Sequence, residues 1–170
     1  LHQVDTLSDI ATSFSAFAKM PVPESEPFDI VAELKKSAQL FENEEGTIQV
    51  DFQAERQLVM GDAKLTCRIF NNLVINAFQS VPEDREPEVA INLSVSDTKV
   101  KIRIADNGSG IPEQVHNKIF IPNFSTKVKG SGIGLAISKR GIEHAGGDIW
   151  FETSNSGTTF YIDWPKYEVR

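Results

Sequence analysis

Two short glycine-rich runs constrain this chain more than any other feature: Asp106-Asn107-Gly108-Ser109-Gly110-Ile111-Pro112 and, about twenty residues on, Gly130-Ser131-Gly132-Ile133-Gly134-Leu135-Ala136. Before the first, Val100, Ile102 and Ile104 alternate with Lys101 and Arg103, the period of a half-buried strand, which puts Asp106 at the strand's end. The second passes directly into Ile133, Leu135, Ala136 and Ile137, which read as the first turns of a helix. The amides at such a start carry the positive end of the helix dipole and suit a phosphate. Neither run is a G-x-x-x-x-G-K-[ST] loop, and Gly130 to Gly134 is too compressed for G-x-G-x-x-G. Singly, each cluster reads first as a turn. In this order they point to one nucleotide pocket, with Asp106 accepting from an exocyclic amine such as that of adenine.

A helical pattern upstream adds a second constraint. Asp62 is placed to cap it, and Leu65, Ile69, Asn72 and Asn76 fall on one face. Buried amides are costly unless paired. Either these asparagines cap neighbouring backbone, or Asn76 offers a carbonyl oxygen to magnesium, which prefers hard oxygen ligands shared with substrate phosphates.

The remaining segments supply the frame. Ile30 to Phe41 is helical, Thr47 to Phe52 is a strand, and Leu58-Val59-Met60 is a short apolar run ended by Gly61. Val89, Ile91, Leu93 and Val95 alternate after a surface loop from Pro82 to Pro87. Ile149-Trp150-Phe151 and Phe160, Ile162, Trp164 flank a turn at Ser154 to Gly157. Two hairpins, one further strand and three main helices predict an α+β, two-layer sandwich: a mixed, mostly antiparallel sheet with helices on one face. Residues 1–20 carry an apolar stripe (Val4, Leu7, Ile10, Phe14, Phe17) at helical spacing, and residues 21–27, rich in Pro, Glu and Ser, read as a linker to a domain over 28–170. The single cysteine, Cys67, excludes an internal disulfide framework and reads as a small packing residue. A net charge of −7 argues against a nucleic-acid surface. No run approaches the ~18 apolar residues of a membrane span.

With these residues in place, a resemblance can be named. Arg68-Ile69-Phe70-Asn71-Asn72-Leu73-Val74-Ile75-Asn76-Ala77 resembles the asparagine box of bacterial sensor histidine kinases, and Asp106 to Gly110 their first glycine box. Ile119 to Lys127 is similar to the phenylalanine box of the lid, Gly130 to Ala136 to the second glycine box, and Gly157-Thr158-Thr159-Phe160 to the threonine-bearing closing hairpin. The Asn76 to Pro82 and Phe14 to Pro21 stretches lean toward the nitrogen-regulation type.

The resemblance implies the Bergerat ATP-binding fold, shared with DNA gyrase, mismatch-repair ATPases and heat-shock chaperones, and a catalytic domain that moves the γ-phosphoryl group of ATP to a histidine. It implies that Asp106 accepts the adenine amine with Thr158 or Thr159 beside it, that Gly108, Gly110 and Ile111 border the base, and that Asn76 binds Mg2+ with Asn72 in support. Lys127 would meet the β- or γ-phosphate from the lid. Gly130, Ser131, Gly132, Ile133, Gly134 and Leu135 would hinge that lid and open the phosphate-facing helix. Two departures stand out. Gln79 replaces the lysine many relatives carry three residues after the magnesium asparagine, and Asn72 stands where ATP-hydrolysing members carry a glutamate base. None of His2, His116 or His144 has the surroundings of a phosphoacceptor. The chain is therefore expected to be a cytoplasmic fragment of a membrane-bound sensor. Residues 1–20 would be the second helix of a homodimerising hairpin, ADP the product and a response-regulator receiver domain the next acceptor. An ATPase of the same fold and a degenerate binding module are the alternatives.

Overall fold

In the computed structural model, residues 8, 11–12, 15, 17–125 and 132–168 are described. The main sheet has five strands in the order β2 (Thr47–Phe52), β4 (Glu88–Val95), β5 (Lys99–Asp106), β7 (Gly157–Pro165) and β6 (Asp148–Ser154). Only β2–β4 is parallel; the other neighbours are antiparallel. Strict alternation makes this possible. Ile91, Leu93, Val100, Ile102, Ile104, Ile149 and Ile162 are buried on one face, while Trp150 lies stacked on Tyr161 on the other, 5.6 Å between ring centres.

Helices α1 (Ile30–Leu40), α2 (Ala63–Gln79) and α3 (Gly134–His144) cover the apolar face, α2 packing between the other two. Asp29 starts α1 by accepting the Val31 N–H at 3.1 Å. Asp62 starts α2: Oδ1 accepts the Leu65 N–H at 3.0 Å and Oδ2 the Glu24 N–H at 3.1 Å. The Leu65 hydrogen bond holds the Asp62 carboxyl below its ordinary range. Both caps satisfy backbone donors that a helix start leaves orphaned.

The expected count of strands is incomplete. The run Leu58–Gly61 forms β3 and pairs antiparallel with β1 (Glu26–Asp29), making a separate two-stranded sheet. Glu26 and Pro27, assigned above to the linker, thus belong to a strand. Burial of Phe28 against Trp164, edge to face at 6.2 Å, explains why β1 docks here, and the Trp164 indole N–H donates to the Met60 carbonyl at 3.0 Å. Ser8, Ala11, Thr12, Ser15, Phe17 and Ala18 are helical, and turn bonds at Lys19 and Met20 end that helix before Pro21. Among the described residues no helix is long and apolar enough to cross a membrane.

Candidate nucleotide site

The last residue of β5 is Asp106, and its Oδ1 accepts the Gly108 N–H at 2.8 Å and the Thr158 N–H at 3.1 Å. One amide comes from its own loop and the other from β7, so the carboxylate is fixed as an acceptor. The loop beyond is tied to the β6–β7 hairpin through Thr153, whose Oγ1 accepts the Ile111 N–H at 2.9 Å and lies 2.8 Å from the Thr158 hydroxyl. Gly110 has φ +80, and a Cβ there would run into the Ser154 carbonyl oxygen, so this close approach requires glycine. On the other flank, the Asn107 amide donates to Glu86 O at 3.0 Å and accepts from Glu88 N–H at 2.9 Å, while Arg85 donates to the Asn107 carbonyl. The Pro82–Pro87 loop, read above as mere surface, is a buttress for the first glycine loop.

A cavity of about 460 Å3 lies between this wall and the helices. Asp106, Gly110, Ile111 and Thr158 line it from the sheet side; Asn72 and Asn76 from α2; Gly132, Gly134 and Leu135 from the start of α3. Asn72 is half-buried, and its Nδ2 is buried with no hydrogen-bond partner among the described residues. It does not cap neighbouring backbone. A Cβ at Gly134 would collide with the Asn72 amide, so α2 and α3 meet here at a distance only glycine permits. Among the described residues no side chain caps the first turn of α3, whose Gly134 and Leu135 line the cavity.

The predicted residues are therefore mostly gathered, with exceptions. Gly108 lies buried beneath the cavity and acts through its N–H on Asp106. Ile133 sits on the far side of Gly134 from the main cavity, in a smaller adjoining one. Of the two threonines, Thr158 enters the site. Thr159 alternates onto the opposite face of β7, across from Glu152, because adjacent strand residues point to opposite sides. Lys127, Gly130 and Ser131 lie outside the described residues.

Sequence reading missed Thr153 and the apolar walls Ile75, Ile119 and Phe160. Phe120 anchors the segment after the first glycine loop, its ring 6.3 Å from both Phe151 and Phe160. His116 is structural: its Nε2 pairs with the Ile111 carbonyl at 2.8 Å and its ring stands edge-on to Phe151. Burial pushes the Cys67 thiol up from its ordinary value, the direction away from a thiolate nucleophile. Among the described residues no three His, Cys, Asp or Glu side chains gather as a protein-held metal would need.

Comparison with known proteins agrees with this geometry. Residues 61–168 match the family described as histidine kinase-, DNA gyrase B-, and HSP90-like ATPase. Sporulation kinase B of Bacillus subtilis (strain 168) is 31% identical over 169 residues, which cover 97% of this chain and 39% of that protein. Nitrogen regulation protein NtrY of Azorhizobium caulinodans is 29% identical over 170 residues, covering 95% of this chain and 22% of that one. The chain thus spans well under half the length of these relatives. Among solved structures, the catalytic domain of histidine kinase ThkA superposes with a TM-score of 0.75 at 30% identity, covering 84% of this chain and 96% of its own. ThkA in complex with response regulator protein TrrA gives 0.77 at 27% identity, covering 98% of this chain and 49% of its own.

Proposed function

From the premise that this chain belongs to the histidine kinase-, DNA gyrase B- and HSP90-like ATPase family, we propose that it is the ATP-binding catalytic domain of a sensor histidine kinase of the nitrogen-regulation kind. One observation carries the reading. A single cavity joins a carboxylate fixed by two amides, Asp106, to a buried amide, Asn72 Nδ2, that has no partner among the described residues, beside a first turn of α3 that no described side chain caps. Adenine fits the first end, where Asp106 accepts its amine. Phosphates fit the second, where the α3 amides and Asn72 Nδ2 donate.

The donor set suits magnesium as well. Mg2+ takes most of its oxygens from phosphates and water, so the Asn76 amide oxygen is a sufficient protein share and no carboxylate cage is required. When bound, the ion would be held by Asn76 and would supply charge neutralisation to the phosphates. The residues of this chain hold the nucleotide in line. An imidazole nitrogen of an acceptor histidine then attacks the γ-phosphorus, the bond to the β,γ-bridging oxygen breaks, ADP leaves with that electron pair, and the ring loses its proton. No protein base is needed, so catalysis is positioning and charge stabilisation.

Asn72 also separates this reading from hydrolysis. An amide cannot act as a general base toward water. Asn72→Glu is expected to lower phosphotransfer, and a clean gain of kinase activity from it would overturn the phosphotransfer reading. A receiver domain is the onward acceptor, as the ThkA–TrrA complex illustrates for that kinase, and the upstream hairpin is the dimer contact. Calorimetric titration with ADP, with and without magnesium, tests the site directly. Saturable, adenine-specific binding strengthened by magnesium is expected; no binding by the chain would exclude the nucleotide reading.

A further inference from the structure

A second cavity, of about 130 Å3, adjoins the first and shares Asn72 and Gly134 with it. It lies where α2 packs on the start of α3, and Arg68 lines it one helical turn before Asn72. Arg68 is exposed and, among the described residues, has no hydrogen bond or ion pair. Besides Arg68 and Asn72, the polar side chain lining this cavity is Ser138, whose hydroxyl is already committed to the Gly134 carbonyl at 2.8 Å.

The charge pattern makes this position unusual. The chain carries a net −7, and none of the described residues lining the main cavity is a lysine or arginine. Across both cavities Arg68 is the one cation among the described lining residues. A polyphosphate that reached Asn72 would have its free end facing the guanidinium, whose planar fork of donors matches two phosphate oxygens.

We propose that Arg68 contacts the terminal phosphate of a bound nucleoside triphosphate, reaching it through the small cavity beside Asn72. Arg68 thereby separates triphosphate from diphosphate. The inference rests on the nucleotide reading above but adds a residue to the site. It does not depend on Lys127.

The test is calorimetry of the chain with ADP and with a non-hydrolysable ATP analogue, both with magnesium, for the unaltered chain, Arg68→Ala and Arg68→Lys. Arg68 is exposed, so both variants should fold, and matching thermal midpoints verify this. Loss of one charge-assisted, forked contact is expected to weaken the ATP analogue about tenfold in Arg68→Ala, with ADP within about twofold and Arg68→Lys between the two. Unchanged analogue affinity in Arg68→Ala would overturn the inference alone. So would equal losses for ADP and analogue, which would place the effect on the shared part of the ligand or on the fold. Failure of the unaltered chain to bind either nucleotide would overturn the nucleotide reading, and this inference with it.

Discussion

The two walls of the cavity are built on opposite plans. On the sheet side, Asp106, Gly108, Ile111, Thr153 and Thr158 form a closed hydrogen-bonded network across the first glycine loop and the β6–β7 hairpin. On the helix side, α2 and α3 touch through packing, and among the described residues Asn72 Nδ2 has no partner and no side chain caps the first turn of α3. The contrast assigns different work to each wall. The sheet side is complete before a ligand arrives and selects by shape and by one acceptor. The helix side is polar and incomplete, and a ligand with several acceptor oxygens satisfies it. Unpaired buried donors persist in native proteins where function requires them.

The largest effect expected from breaking this contrast is on the finished wall. Asp106→Asn puts a donor where the adenine amine also donates and disturbs the anchored loop; ADP affinity should fall about 100-fold, read by calorimetry. Survival of tight ADP binding would show that the base does not sit there. On the helix wall, Gly134→Ala forces a methyl against the Asn72 amide. A core overpacked in this way loses roughly 1–3 kcal/mol, so a lower thermal midpoint and about tenfold weaker nucleotide binding are expected together.

A smaller effect is expected at the root of α2. Asp62→Ala removes the cap and should destabilise the domain by about 1 kcal/mol in urea unfolding. Its pH dependence has a definite sign. The folded-state pKa lies below the ordinary aspartate value of about 3.9, so the stabilisation is fully present above that value and fades as pH falls through the lower, folded-state one. The gap between the unaltered chain and Asp62→Ala should therefore be constant near neutral pH and shrink below about pH 4. A gap that grew on acidification would contradict the capping geometry. The smallest effect sharpens the choice of threonine: Thr159→Ala should leave ADP affinity within about twofold, because Thr159 lies on the face of β7 away from the cavity.

What could be read beforehand follows the same division. Asp106 at a strand's end, the Asp62 cap, the paired asparagines and the glycine-opened α3 were all legible, since each depends on neighbours within a few residues in the chain. The β1–β3 sheet was not. Its strands are four residues each and pair across some thirty residues, and what docks the pair against β7 is Phe28 meeting Trp164, a contact with no local signature. Thr153 was hidden for a related reason: its link to Ile111 exists only once the β6–β7 register and the loop are superposed. Arg68 stands one helical turn before Asn72, as helix periodicity places it, but the cavity the two share exists only once α2 is packed against the start of α3.

The placement of the two tryptophans has a practical consequence. Trp164 is sealed between the sheets with its indole N–H bonded to Met60, whereas Trp150 is partly exposed on the outer face against Tyr161, and neither lines the cavity. The molecule thus carries a shielded, blue-emitting fluorophore and a solvent-facing, quenchable one. Acrylamide should extinguish the second long before the first, and complete unfolding should merge the two. Any emission change on adding nucleotide would then report movement relayed through the sheet, since no indole lines the cavity.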